Sequence, residues 1–220
     1  MIPPSIQLKI NRANEHRNTL IDKLTEYLDS PFYRLSIKRN PCDDTSVVCI
    51  FDVIHEPPLE CGVILGDFLH NIRSALDYFA CCLVEKNGGI VNDRTQFPII
   101  DSTPPKPLYI ACDAGPVEPK VLTFIDSLQP YHRGDNASSH PLSILNYLSN
   151  RDKHRLLQVA VVGAIGHGFR LVLPDGRTID PEPSIGMAYN NAPIAIFRPN
   201  EAISSLFCGE VDMYAVCPPL

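Results

Sequence analysis

No run in the chain approaches the roughly 18 apolar residues of a membrane span. Its first residues, Met1-Ile2-Pro3-Pro4-Ser5, have neither the basic nor the apolar region of a signal peptide. The expectation is a cytoplasmic protein with no membrane partner. There is no Gly-x-x-x-x-Gly-Lys-Ser/Thr, no dinucleotide glycine fingerprint and no His-Glu-x-x-His, so the phosphate-loop, Rossmann-type and zinc-protease chemistries have no motif here. The eight cysteines include no Cys-x-x-Cys pair and no His at zinc-ligand spacing, so neither a metal nor a cofactor is expected. Cys49, Cys81, Cys82, Cys208 and Cys217 lie inside apolar runs and read as reduced, mostly buried thiols. An excess of basic residues is also missing. Nineteen Lys and Arg against 25 Asp and Glu give a net charge of -6, which excludes indiscriminate nucleic-acid binding and leaves room only for a local basic patch.

The 220 residues, 45% of them hydrophobic, are enough to bury a substantial core, and the simplest reading is a single α+β domain over residues 1–220. The pattern predicts a helix over about 5–29, capped by Ser5, with Ile6, Ile10, Ala13, Leu20, Ile21, Leu24 and Leu28 on one stripe and Arg17 inside it. Two strands follow, Phe32 to Lys38 and Val47 to Ile54, around the turn-rich Arg39-Asn40-Pro41-Cys42-Asp43-Asp44: a hairpin over 32–55. Pro57-Pro58 opens a long helix from Leu59 to Lys86, stopped by Asn87-Gly88-Gly89. The proline-rich residues 90–117 read as an excursion over the surface. A short helix from Glu118 to Leu128 and another from Ser139-His140-Pro141 to about Leu157 complete a helical core over about 5–157. From 158 to 220 short β-like runs, Gln158 to Val162, Phe169 to Leu173, Ile194 to Phe197 and Leu206 to Cys217, predict a C-terminal antiparallel sheet. The expected architecture is a bundle of long antiparallel helices with an N-terminal hairpin and this sheet.

The chemistry-bearing residues concentrate on the long central helix. At about 100° per residue Ile64, Phe68, Ile72, Ala75, Leu76, Phe79 and Leu83 share an apolar face, and Asp67, His70, Asn71, Arg73, Ser74, Asp77 and Tyr78 the other side. That side carries no Lys or Glu before Glu85, only groups that hydrogen-bond, titrate or bind anions. Arg17 and Asp152 also fall on apolar stripes of their helices, where an unpaired charge is costly. Asp152 is therefore expected within hydrogen-bond reach of Arg73, His70 or Arg17. Two readings stay open: a structural ion-pair network in a non-catalytic interaction protein, or a cleft in which guanidinium groups bind an anion and imidazoles move protons.

Leu69-His70-Asn71-Ile72-Arg73-Ser74-Ala75-Leu76-Asp77, Thr95-Gln96-Phe97-Pro98-Ile99, Leu128-Gln129-Pro130-Tyr131 and Asn150-Arg151-Asp152-Lys153-His154-Arg155 resemble a group of uncharacterised bacterial proteins over about residues 5–160. That resemblance implies no established activity. More distantly, the long helices and Arg73-Ser74-Ala75-Leu76-Asp77-Tyr78 resemble the HEPN superfamily. Its ribonuclease members carry an Arg, four to six intervening residues and a His on one helix, and cleave RNA without metal, usually as dimers. Arg73 stands at that arginine, but five residues on the chain has Tyr78, a much weaker base than His. The resemblance thus implies RNA or a nucleotide as ligand, a homodimer, and a catalytic role for Arg73; the reading of the helix faces adds His70 and His154 as the candidate proton-transfer groups. Arg17, Asn71, Asp77, Tyr78, Asp152 and Lys153 would line the ligand site.

Overall fold

The structure, a computed structural model, describes residues 2–104, 106–113, 117–157, 159, 163–164, 171–172, 178–179, 187–188 and 192–198. It is a mixed helix-and-sheet protein whose described residues form an N-terminal antiparallel hairpin and four α-helices: α1 Pro4–Leu28, α2 Leu59–Lys86, α3 Pro119–Ser127 and α4 Pro141–Asp152. The chain divides into two compact units, Met1–Leu24 with Pro58–Val159, and Thr25–Pro57 with Ala160–Leu220.

In the second unit strands β1 Tyr33–Asn40 and β2 Asp43–Val53 pair antiparallel, Leu35 opposite Phe51 and Ile37 opposite Cys49. The ladder runs further into the turn-rich stretch than the sequence suggests. Only Pro41 and Cys42 form the turn, with the Asn40 side chain accepting from the Cys42 N–H at 3.0 Å and donating to Ser46 Oγ at 3.0 Å. Val47, Cys49 and Phe51 alternate onto one face and pack with Tyr27, Phe32, Ala195 and Phe197. Burial pushes the Cys49 thiol up to about 11, with the Asp52 charge adding to it. Two-residue strands β3 Gly163–Ala164, β4 Leu171–Val172, β5 Thr178–Ile179 and β6 Met187–Ala188 precede β7 Ala192–Phe197, which pairs antiparallel with β2. The rest of the expected C-terminal sheet, Leu206 to Cys217 included, lies outside the described residues.

In the first unit α2 ends as its sequence predicts. Gly88 takes φ 70°, and the Gly88 and Gly89 N–H groups return to the carbonyls of Glu85 and Val84 at 2.9 Å, a Schellman closure. Lys23 pairs with Glu60 at 2.8 Å and Lys9 donates to Asn71 Oδ1 at 3.4 Å, two polar links between α1 and α2. A second side of α2 meets the end of α4 and the residues that follow it through two small residues one turn apart. A side chain on Gly62 would collide with the Leu157 carbonyl oxygen, and a Cβ on Gly66 would stand 2.5 Å from Asp152 Oδ1. The cap of α4 is His140, whose Nδ1 accepts the Leu142 N–H at 3.1 Å. The helix stops at Asp152, so Lys153, His154 and Arg155 follow its end instead of forming its last turn.

The largest departure from the sequence reading is the segment over 90–113. Among its described residues it has no helix or strand, and many of them, Ile90, Arg94 and Tyr109 included, are exposed, yet it is anchored in the core: Phe97, Leu108 and Ile110 are buried with Ala80, Val84, Val117 and Ile125. A buried irregular backbone has polar groups that no ladder satisfies. Here side chains satisfy several of them. Thr95 Oγ1 donates to the Ala111 carbonyl at 2.7 Å. Gln129, almost wholly buried, accepts the Ile100 N–H at 3.0 Å and donates to the Ile125 carbonyl at 3.1 Å.

Candidate functional site

Arg73 and Asp77 are one helical turn apart on α2 and pair at 3.0 Å. Both reach the same residue of the buried segment. Asp77 Oδ1 accepts the Phe97 N–H at 2.9 Å, and Arg73 Nη2 donates to the Phe97 carbonyl at 2.9 Å. The pair thus grips both polar groups of one peptide residue while the Phe97 ring enters the apolar cluster. Arg73 is deeply placed, its side chain 14% exposed, and its buried Nη1 has no hydrogen-bond partner. The guanidinium therefore has one more bond to give than this arrangement uses, at a cost of about 1–3 kcal/mol for the unsatisfied donor.

A cleft of about 1100 Å³ opens over this clamp. Its floor is Phe97, Pro98, Ile99, Ile100 and Ile110; its polar lining comes from Arg73, Arg94 and Gln96 on one side and Asn146, Ser149, Asn150 and Lys153 on the other. Arg94 is set by a turn in which its N–H donates to Asn92 Oδ1 at 2.9 Å, and Lys153 Nζ donates to Asn150 Oδ1 at 3.1 Å. Asp93 is the one carboxylate in the lining, so cations outnumber acids three to one. Chemically the cleft is a concave, part-apolar site with hydrogen-bond donors and positive charge on two walls.

Of the residues singled out in the sequence, Arg73 and Lys153 are brought to this cleft, with Asp77 behind Arg73. The others go elsewhere. Arg17 is exposed and bonds the neighbouring Asn18 side chain at 3.2 Å, because α1 turns that part of its expected stripe to solvent. His70 is exposed, 3.5 Å from Ser74 Oγ. Asn71 is buried, its amide donating to the Asp67 carbonyl at 2.8 Å, and Tyr78 lies under Lys9 at 5.9 Å. Asp152 makes no hydrogen bond to Arg73, His70 or Arg17. It sits over Gly66 because the glycines let α4 come close there, and Arg73 is already taken by Asp77 and Phe97. His154 lines a second groove of about 560 Å³, which shares Asn146 and Asn150 with the first.

Sequence reasoning missed Arg94, Gln129 and the pair Gly62 and Gly66. Two glycines four apart inside a long helix are a legible sign of close helix approach, and Asn92-Asp93-Arg94-Thr95 is a legible turn. Among the described residues no three His, Cys, Asp or Glu side chains stand close enough to share a metal ion, and no helix is long and apolar enough to cross a membrane. Comparisons with family models, curated proteins and solved structures give no match.

Proposed function

We propose that the cleft over Phe97 binds a phosphate-bearing ligand. The observation that carries this reading is the convergence of Arg73, Arg94 and Lys153 on one concave site in a chain whose net charge is -6. A phosphate monoester or diester offers acceptors that suit guanidinium forks and a lysine, and the apolar floor suits a planar or aliphatic remainder. The direct test is fluorescence anisotropy of a labelled nucleotide with a chelator present. Arg94→Ala/Lys153→Ala is expected to weaken binding by tenfold or more with the melting temperature unchanged; equal affinity contradicts the reading. Arg73 is left intact in this test because its clamp on Phe97 makes it structural as well.

A sharper form is metal-independent RNA cleavage of the kind the HEPN resemblance implies, in a homodimer. It draws its proton-transfer group from His154 in the adjoining groove, since His70 does not line the cleft. RNA incubated with chelator tests it: cleavage lost in His154→Ala supports it, and binding without cleavage by the unaltered protein removes it. The second reading, a non-catalytic interaction protein whose polar cluster is a structural network, is favoured by the partners that Arg73 and Asp77 already have in Phe97. With either reading we propose that the long helices form an antiparallel bundle, that the C-terminal residues form an antiparallel sheet with β7, and that the protein works in the cytoplasm, which suits its six free thiols among the described residues.

A further inference from the structure

The groove on the far side of Asn146 and Asn150 has a composition of its own. Tyr147, Arg151, His154 and Arg155 line it, with one carboxylate, Asp101, that is already engaged by the Ser143 hydroxyl. Asn146 and Asn150 stand one turn apart on α4 and belong to both grooves, so a single helical ridge separates them. Cations lie on both sides of that ridge: Arg94 and Lys153 on one, Arg151 and Arg155 on the other. Each groove also presents an aromatic ring to solvent, Tyr109 at 70% exposure in the first and Tyr147 at 60% in the second. The Tyr147 hydroxyl accepts from Arg151 Nη1 at 2.9 Å, which steadies the ring against the guanidinium.

We infer that the second groove is a further subsite for the same ligand, and that the ligand is a single-stranded polynucleotide laid across α4. This rests on the phosphate-binding reading of the cleft and goes beyond it. A lone phosphate or a mononucleotide meets one groove. A strand meets both, its phosphates running past cations on either side of the Asn146–Asn150 ridge and its bases stacking on rings that a bare polyanion has no use for. The two asparagine amides at the ridge carry donors and acceptors that suit the sugar and base edges of a nucleotide crossing it.

Anisotropy with a mononucleotide, a dinucleotide and unstructured oligonucleotides of about four and about eight residues tests the inference on the full chain. Affinity is expected to rise at least tenfold from the mononucleotide to the tetramer. Tyr147→Ala, and separately Arg151→Ala/Arg155→Ala, are expected to weaken oligonucleotide binding about tenfold while leaving the mononucleotide unaffected. The arginine pair is also expected to flatten the salt dependence by about 1.4 in log–log slope, the share of two phosphates on a single strand. All three residues are exposed, so thermal melts should match the unaltered protein, and Arg155→Ala alone repeats the test past the end of α4. A mononucleotide that binds as tightly as the octamer, or an octamer indifferent to the Tyr147 and Arg155 variants, overturns the second subsite while the cleft reading survives. No binding at any length, the mononucleotide included, overturns both. Inorganic polyphosphate of equal charge should compete at least tenfold less well; equal competition overturns the polynucleotide assignment.

Discussion

The hairpin of β1 and β2 and the segment over 90–113 both bury apolar side chains, but they satisfy their backbones in opposite ways. In the hairpin each strand is the other's partner, from Tyr33 opposite Val53 to Arg39 opposite Val47. In the segment side chains supply many of the partners, Thr95 for Ala111, Arg73 and Asp77 for Phe97, Gln129 for the Ile100 N–H, beside a few backbone bonds such as Tyr131 N–H to the Ile100 carbonyl. The difference explains why Arg73 and Asp77 stand one turn apart on α2 and why a glutamine is almost wholly buried after α3. A buried loop needs external donors and acceptors, and these residues supply them. The same arrangement shapes the candidate site, because the gripped segment is its floor.

Apolar truncation should not tell the two regions apart. Phe97→Ala and Phe51→Ala, both of buried rings, are each expected to cost about 3–5 kcal/mol in urea denaturation. A Phe97 effect below about 1 kcal/mol would mean that the segment is not part of the core. Polar truncation should separate them. Asp77→Ala removes an ion pair and leaves the Phe97 N–H without an acceptor, at an expected cost of about 2–3 kcal/mol. Arg34→Ala in β1, whose partner Asp52 is 3.8 Å away and whose side chain is 65% exposed, should cost no more than about 0.5 kcal/mol. Gln129→Ala strips the Ile100 N–H and the Ile125 carbonyl of their partner and should cost about 2 kcal/mol, read from the same denaturation curves.

The smallest expected effect belongs to the hairpin turn. Hydrogen bonds from the Thr45 hydroxyl and N–H, then from Ser46, with the Arg198 charge, hold the Asp43 carboxyl down from its ordinary 3.8 to about 2. A carboxyl with a depressed folded value stabilises above its ordinary pKa, and that contribution is lost as pH falls through the folded value. The turn should therefore loosen between about pH 4 and pH 2, seen as exchange broadening of the Thr45 amide in NMR spectra. In Thr45→Ala the Asp43 titration midpoint should move upward.

The contrast also accounts for what the sequence shows in advance. The ends of α2 were legible because Pro57-Pro58 and Gly88-Gly89 act locally, and the hairpin was legible because alternation of Val47, Cys49 and Phe51 encodes one buried face. Arg73 and Lys153 were legible as candidates because their residue types are out of place. The burial of Phe97, Leu108 and Ile110 was not legible: the apolar residues of 90–113 follow no helical or strand period, and the segment's partners are contributed by residues up to 29 positions away. Nor was the isolation of Asp152, which depends on Gly66 facing it across two helices. Projection on a single helix assigns faces but does not say which neighbour arrives there, so Arg17 and His70 fell on sides that turn out to be exposed.

Amide hydrogen exchange at Phe97 tests most directly the claim that α2 holds the buried segment through its side chains. The Phe97 amide, in a segment without helix or strand, is expected to be protected in the unaltered protein. In Asp77→Ala its protection should fall about ten- to a hundredfold beyond any change at the Ala80 amide of α2. A Phe97 amide that already exchanges like an exposed loop, or whose protection is untouched by the substitution, would contradict the clamp.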